Sequence, residues 1–266
     1  MKHYQFWVKE RFNIMIGKNS EQISLLVGSN QSKADAYNLA VARAKAIEAR
    51  IEQKAGIEDY DVAIKEHVAQ LIDQQNVITV CRYGAKVLNT CNYTILDFDS
   101  YPIDFFDRFK AVRKLEKKQR IIYKFEERLQ KHPELGQDFR IYETANGVRV
   151  IGKQYFDPTN KGHAKLLQLF GVDLLYVQLS QKQQCYRARL TPPQNHIGLN
   201  HAPLKLAVRW IVRPKTINPG KMNYQEKSNQ FSVVKLVKTI GQDFAADNVI
   251  ALHDRLSNSS QNKTLA

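Results

Sequence analysis

The chain has 266 residues, 43% of them hydrophobic and 10% aromatic, enough to bury a core and too apolar for wholesale disorder. The 40 Lys and Arg outnumber the 26 Asp and Glu, and the net charge of +14 favours a polyanionic partner, because phosphates that bind cations release their counterions. The cysteines Cys81, Cys91 and Cys185 form no CxxC pair, which argues against structural zinc and fits a reducing, cytoplasmic setting. Lys9, Glu10 and Arg11 interrupt the first apolar run, so a signal peptide is not expected. No stretch approaches the ~18 apolar residues of a membrane span.

In chain order, His3–Val8, Phe12–Ile16 and Ile23–Val27 read as short strands, rich in aromatic and β-branched residues. Ser32 to Gly56 reads as a helix. Ser32 with Asp35 forms a capping box, Ala36, Ala40, Ala44, Ile47 and Ile51 trace one face, and Gly56 stops it. A weaker helix is expected over Tyr60–Asp73. Strands follow at Val77–Cys81, Ala85–Asn89 and Tyr93–Asp99, the first two joined by a turn at Arg82–Tyr83–Gly84. Asp104–Gln130 reads as a long basic helix containing Arg113, Lys114, Lys117, Lys118, Arg120 and Lys124. Such a face is either merely solvated or turned toward phosphates.

Two further strands, Phe139–Tyr142 and Val148–Ile151, flank a turn. Lys161–Phe170 is a helix capped by Thr159 or Asn160 and stopped by Gly171. Gln184–Leu190 is an alternating strand closed by Thr191, Pro192 and Pro193. Residues 192–230 are rich in turns around an apolar run at Leu204–Val212. Phe231–Val237 reads as a strand, Asp243–Leu256 as a helix, and the polar tail 257–266 as a flexible end. The fold class is α/β in the broad α+β sense, with a mixed, largely antiparallel sheet and flanking helices. Residues 1–90 form an N-terminal elaboration and 91–256 the core with its C-terminal extension.

The segment that carries most chemistry is Ile95-Leu96-Asp97-Phe98-Asp99. On a strand, the spacing of Asp97 and Asp99 puts both carboxylates on one side of the sheet. Two adjacent anions repel unless both reach water or a hard divalent cation, Mg²⁺ or Mn²⁺, neutralises them. Forty residues on, Thr144, Asn146 and Gly147 make a turn whose backbone N–H groups can hold an anion, and Arg149 returns on the second strand. Arg187 and Arg189 then share one face of a later strand. A phosphate would relieve their mutual repulsion, and so would ion pairs with acids on a neighbouring strand. His163 with Lys165, the loop group Asn195, His196 and His201, and the tryptophans Trp7 and Trp210 are weaker signals, read as surface or core. No Walker loop, dinucleotide fingerprint or hydrolase elbow is present.

A DxD strand, a basic helix and a hairpin with a small-residue turn, in that order over Tyr93–Pro193, resemble the catalytic core of the archaeo-eukaryotic primase (primase-polymerase) superfamily. The resemblance implies an RRM-like core and metal-dependent nucleotidyl transfer using a nucleoside triphosphate on DNA or RNA. It makes Asp97 and Asp99 the metal-binding, catalytic pair. Thr144 and Gly147 match the nucleotide hairpin, and Arg149 stands where the family has histidine. Arginine keeps phosphate binding and loses proton transfer. The nearest candidate for the family's third acid is Asp173, at a helix end. With Asn146, Arg187 and Arg189 added to the phosphate cradle, the basic helix would lead the strand in. Two alternatives come from the same residues: a non-catalytic nucleic-acid-binding protein on that fold, and an interaction protein whose Asp and Arg pairs are structural.

Overall fold

The computed structural model describes residues 1, 3–17, 19–52, 66–81, 84–101, 111–198 and 219–266. Expectations at Gly56, Tyr60–Lys65, Arg82–Tyr83, Asp104–Lys110, His201, Leu204–Val212 and Trp210 lie outside the described residues. The fold is mixed α+β with largely antiparallel sheets. Two compact units divide the chain: one is Lys2–Val68 with Pro203–Thr216, the other Met1 with Ala69–Ala202 and Ile217–Ala266.

In the smaller unit, two 11-residue strands, β1 (Phe6–Ile16) and β2 (Asn19–Ser29), form one antiparallel ribbon. The sequence suggested three short strands. The polar residues between them do not end pairing, because a ribbon left open to water on one face accepts polar residues at every second position. Ile16 pairs with Asn19, and Gly17 enters the two-residue connection at φ +63°, a conformation glycine adopts without cost. Helix α1 (Lys33–Glu52) follows. The Ser32 hydroxyl accepts from the Asp35 backbone N–H at 3.0 Å, while the Asp35 carboxylate accepts from Ser29 at 2.5 Å, so one half of the expected capping box forms. Ala36, Ala40 and Ala44 are buried, and these small side chains let helix and ribbon approach closely.

The larger unit holds two four-stranded sheets. The first runs β3 (His67–Leu71), β4 (Asn76–Val80), β5 (Lys86–Thr90), β9 (Tyr186–Arg189). The unit therefore begins near residue 69, not 91: β4 and β5 belong to it because β5 pairs with β9 a hundred residues later. His67–Leu71 is a strand where the sequence suggested the end of a helix. The second sheet has the order β11 (Val234–Ile240), β7 (Phe139–Thr144), β8 (Val148–Gly152), β6 (Thr94–Phe98), with every pairing antiparallel.

Cross-strand pairing sorts the second sheet into two faces, because directly opposed residues point the same way. One face carries Leu96, Phe98, Phe139, Ile141, Val148 and Val150 and is covered by α2 (Lys117–Lys131). Phe125 of α2 meets Phe98 and Phe139 edge-on, at centroid distances of 6.0 and 5.4 Å. Ile121 and Phe125 are fully buried, and each such side chain contributes about 1.5–3 kcal/mol. The helix is shorter than the expected Asp104–Gln130: Ala111–Lys114 is a 3-10 turn, and Glu116 starts α2 through a reciprocal capping box with Gln119.

Helices α3 (Lys161–Leu169) and α4 (Leu174–Gln183) follow β8. The Asn160 side chain caps α3 as expected, and α4 separates Asp173 from β9. Helix α5 (Pro219–Ser228) precedes a short strand β10 (Phe231–Ser232). Helix α6 (Asn248–Ser257) packs on the other face of the second sheet, where the Tyr142 and His253 rings meet edge-on at 5.2 Å. The chain does not end as a free tail: β12 (Thr264–Leu265) pairs in parallel with β10. Among the described residues, no helix is long and apolar enough to cross a membrane.

Candidate functional site

The site grows from the α6-covered face of the second sheet. There the strands present Asp97, Arg149, Tyr142 and Arg140 in place of apolar residues. Asp97 of β6, Arg149 of β8 and Tyr142 of β7 are paired directly across the strands, so they form one row. The Arg149 guanidinium donates Nε to Asp97 Oδ1 at 2.8 Å and an Nη to Asp97 Oδ2 at 3.2 Å, a two-point fork. Its other Nη donates to the carbonyl of Arg189 on β9 at 3.0 Å, tying this strand pair to the first sheet. Arg149 is 4% exposed, whereas the Asp97 side chain is 31% exposed and reaches water. Burial works against the Arg149 cation, and the neighbouring Asp97 carboxylate outweighs it, raising its pKa. The Tyr176 phenol beside them is pushed up by burial and then by the Asp97 charge, so it stays protonated and donates to the Arg187 carbonyl at 3.1 Å.

One step along β7, a second polar cluster continues the face. Arg140 donates Nε to the Tyr142 hydroxyl at 2.7 Å and an Nη to Asp254 at 2.7 Å, and its third donor reaches Asp243. Tyr142 in turn donates to Asp254 at 2.9 Å. His253 is fully buried with Nδ1 2.9 Å from Asp254, and its Nε2 is buried without a hydrogen-bond partner. Burial lowers the pKa of His253, which favours a neutral ring with the proton on Nδ1. Burial disfavours the Asp254 carboxylate, but hydrogen bonds from His253 and Tyr142 and the Arg140 charge hold its pKa below the ordinary range. The sequence reading missed this cluster. Its signal was available: Arg140 and Tyr142 alternate with Phe139 and Ile141, the same i, i+2 pattern that drew attention to Asp97 and Arg187.

The remaining expected site residues fall as follows. Asp99 is exposed in the bend after β6. Asp173 caps α4, accepting from the Tyr176 backbone N–H at 2.8 Å. Thr144 and Gly147 close their own hairpin: the Gly147 N–H donates to the Thr144 hydroxyl at 2.9 Å, and the Thr144 N–H to the Gly147 carbonyl at 3.0 Å. These two donors are occupied within the hairpin. The need for glycine at 147 is steric, since a Cβ there would stand 1.9 Å from the Phe98 carbonyl oxygen. Asn146 is exposed, and its carbonyl accepts from Lys117 Nζ at 2.6 Å. Arg187 donates to the buried Asn89 side chain at 2.9 Å, and Arg189 is exposed.

The basic stretch divides. Arg113, Lys114 and Lys117 are exposed. Lys118 lies 3.6 Å from Glu143, Arg120 donates to the Leu115 carbonyl at 3.1 Å, and Lys124 is buried 3.2 Å from Glu127. Of the weaker signals, His163 packs edge-on against Phe156 at 4.8 Å, and Trp7 is half-buried.

A divalent ion held by Asp97 and Asp99 would have to compete with the Arg149 fork. Among the described residues, no three His, Cys, Asp or Glu side chains are grouped as a metal site would need. Among the described residues, both Asp97 oxygens accept from Arg149, and Asp99 lies in the bend beyond the strand. No family model, no curated protein and no solved structure matches the chain.

Proposed function

We propose that this protein binds nucleic acid without catalysing metal-dependent nucleotidyl transfer. The observation that carries the reading is the Asp97–Arg149 fork, which supplies the counter-charge the aspartate would otherwise take from a metal. Asp173, the candidate third acid, is used as a helix cap, which supports the same reading. The binding half rests on the net charge of +14 and on Arg113, Lys114, Lys117 and Arg189, which are exposed and, among the described residues, have no carboxylate fork like that of Arg149.

The test is nucleic-acid binding by fluorescence anisotropy at several salt concentrations, with EDTA or with Mn²⁺, alongside a thermal-shift titration with Mn²⁺ and each nucleoside triphosphate. We expect binding that weakens steeply with salt and ignores the chelator, and no triphosphate shift. A Mn²⁺-dependent triphosphate shift that disappears in Asp97→Asn would overturn the reading in favour of a primase-polymerase-type nucleotidyltransferase.

A further inference from the structure

The β1–β2 ribbon of the smaller unit has two chemically different faces. Residues paired across it point the same way. Val8, Phe12 and Ile14, opposite Val27, Ile23 and Glu21, lie on the α1 side, where the Phe12 and Tyr37 rings meet at 6.4 Å. Ile14 and Val27 are buried there. The opposite face carries Lys9, Arg11 and Asn13 on β1, with Ser24 directly across from Arg11 and Gln22 directly across from Asn13. All five are exposed. The ribbon's acids, Glu10 and Glu21, both fall on the α1 side, so every charged residue of the opposite face is a cation.

One end of that face is closed. Tyr4 lies over it, so that a Cβ on Gly28 would stand 2.5 Å from the Tyr4 ring, and Trp7 Nε1 donates to the Tyr4 carbonyl at 3.1 Å. Beyond Trp7 the face is exposed from Lys9 to Met15 on β1 and from Ser20 to Ser24 on β2, with Leu26 half-buried opposite Lys9.

From this we infer that the open ribbon face of Lys9, Arg11, Asn13, Gln22 and Ser24 docks in the major groove of duplex DNA. Three physical arguments point to that partner. Two strands about 4.8 Å apart, with their side chains, fit a groove about 12 Å wide. Arginine recognises guanine through a two-point bond, asparagine and glutamine recognise adenine similarly, and serine serves either base, while lysine meets phosphate. A protein partner would call for an apolar centre on this face, and the opposed Arg11–Ser24 and Asn13–Gln22 pairs at its middle are polar. Double-stranded RNA is disfavoured because its major groove is too deep and narrow to admit the ribbon. The inference rests on the reading of the chain as a nucleic-acid binder and assigns the duplex to a surface made of different residues.

The test uses the whole chain and three probes: a mixed-sequence 20-bp DNA duplex, the same duplex as RNA, and single-stranded DNA. Anisotropy is followed at several salt concentrations for wild type, Lys9→Ala/Arg11→Ala, Asn13→Ala/Gln22→Ala and Arg113→Ala/Lys114→Ala. We expect wild type to prefer duplex DNA. Lys9→Ala/Arg11→Ala should lose about tenfold or more in duplex affinity and flatten the logarithmic salt slope by about 0.9, the share of the one phosphate contact assigned to Lys9. Asn13→Ala/Gln22→Ala should lose at least about threefold with the slope unchanged, since amide side chains release no counterions. Duplex affinity unchanged in both ribbon variants, or a wild type that prefers double-stranded RNA, overturns the assignment. If only Arg113→Ala/Lys114→Ala weakens binding, the ribbon inference falls and the nucleic-acid reading stands. If wild type binds none of the probes, both fall.

Discussion

The second sheet of the larger unit and the ribbon of the smaller one use the same local pattern for opposite ends. In both, polar or charged residues occupy every second position of a strand: Arg140 and Tyr142 on β7 of the sheet, and Lys9, Arg11 and Asn13 on β1 of the ribbon. On the sheet, α6 covers the polar face, and the charges there are paired. Arg149 is forked onto Asp97, and Arg140 spans Tyr142, Asp254 and Asp243. On the ribbon, α1 covers the other face, and the cations stay in water. An i, i+2 charge pattern thus says that a strand has a polar side. Whether that side is a structural network or a binding surface depends on which layer packs over it.

The contrast can be broken most sharply at Asp97. Removing one partner of a buried pair leaves the other charge desolvated, so Asp97→Ala should cost about 3 kcal/mol, the low end of the usual range because Asp97 itself reaches water. Asp97→Asn, which keeps an acceptor for Arg149, should cost less than half as much. Urea unfolding of both variants measures this. An Asp97→Ala protein as stable as wild type would mean that Arg149 is held by something other than the fork. Next in size is Gly147→Ala. The clash is with backbone, the Phe98 carbonyl, and cannot be relieved by a rotamer change, so a loss of about 1–3 kcal/mol is expected with the hairpin displaced from β6.

A pH series addresses the second cluster. Burial lowers the folded-state pKa of His253 below its ordinary 6.5, so the unfolded chain takes up the proton first. The stability associated with neutral His253 is therefore complete above about 6.5 and lost as pH falls below it, by at most about 1.4 kcal/mol per pH unit for one proton. Wild type should lose melting temperature faster than His253→Gln between pH 7.5 and 5.5. Parallel curves would show that the ring is not buried in its neutral form. The smallest effect belongs to the ribbon. Lys9→Ala/Arg11→Ala should stay within about 0.5 kcal/mol of wild type per site, as exposed substitutions do, even while nucleic-acid binding changes.

Much of the larger unit was readable in advance. Runs such as Phe139–Tyr142 and Val148–Ile151 are dense in β-branched and aromatic residues, and strand propensity there agrees with the later packing. Asn160 capped its helix because capping is a local hydrogen bond. Helix α4 was missed because Leu174, Leu175 and Leu179 are all exposed and its apolar face is poorly defined. The end of the chain was read as loose because Ser257 and Ser259 are polar, yet both are buried. Ser257 donates to the His253 carbonyl at 2.7 Å, and the Ser259 N–H donates to the Asp254 carbonyl at 3.0 Å.

By itself the sequence determined the mixed α+β class, the positions of most strands, the helix starts set by local caps, and the alternation that puts Asp97, Arg149 and Tyr142 out of the apolar face. Only the tertiary structure decided that Asp97 meets Arg149, that Arg140 meets Asp254 over a hundred positions away, and that Lys9 and Arg11 meet solvent. Periodicity is local and fixes which way a side chain points. The partner it finds depends on strand order and on which helix covers the face, and those follow from burying the most apolar surface across the whole chain.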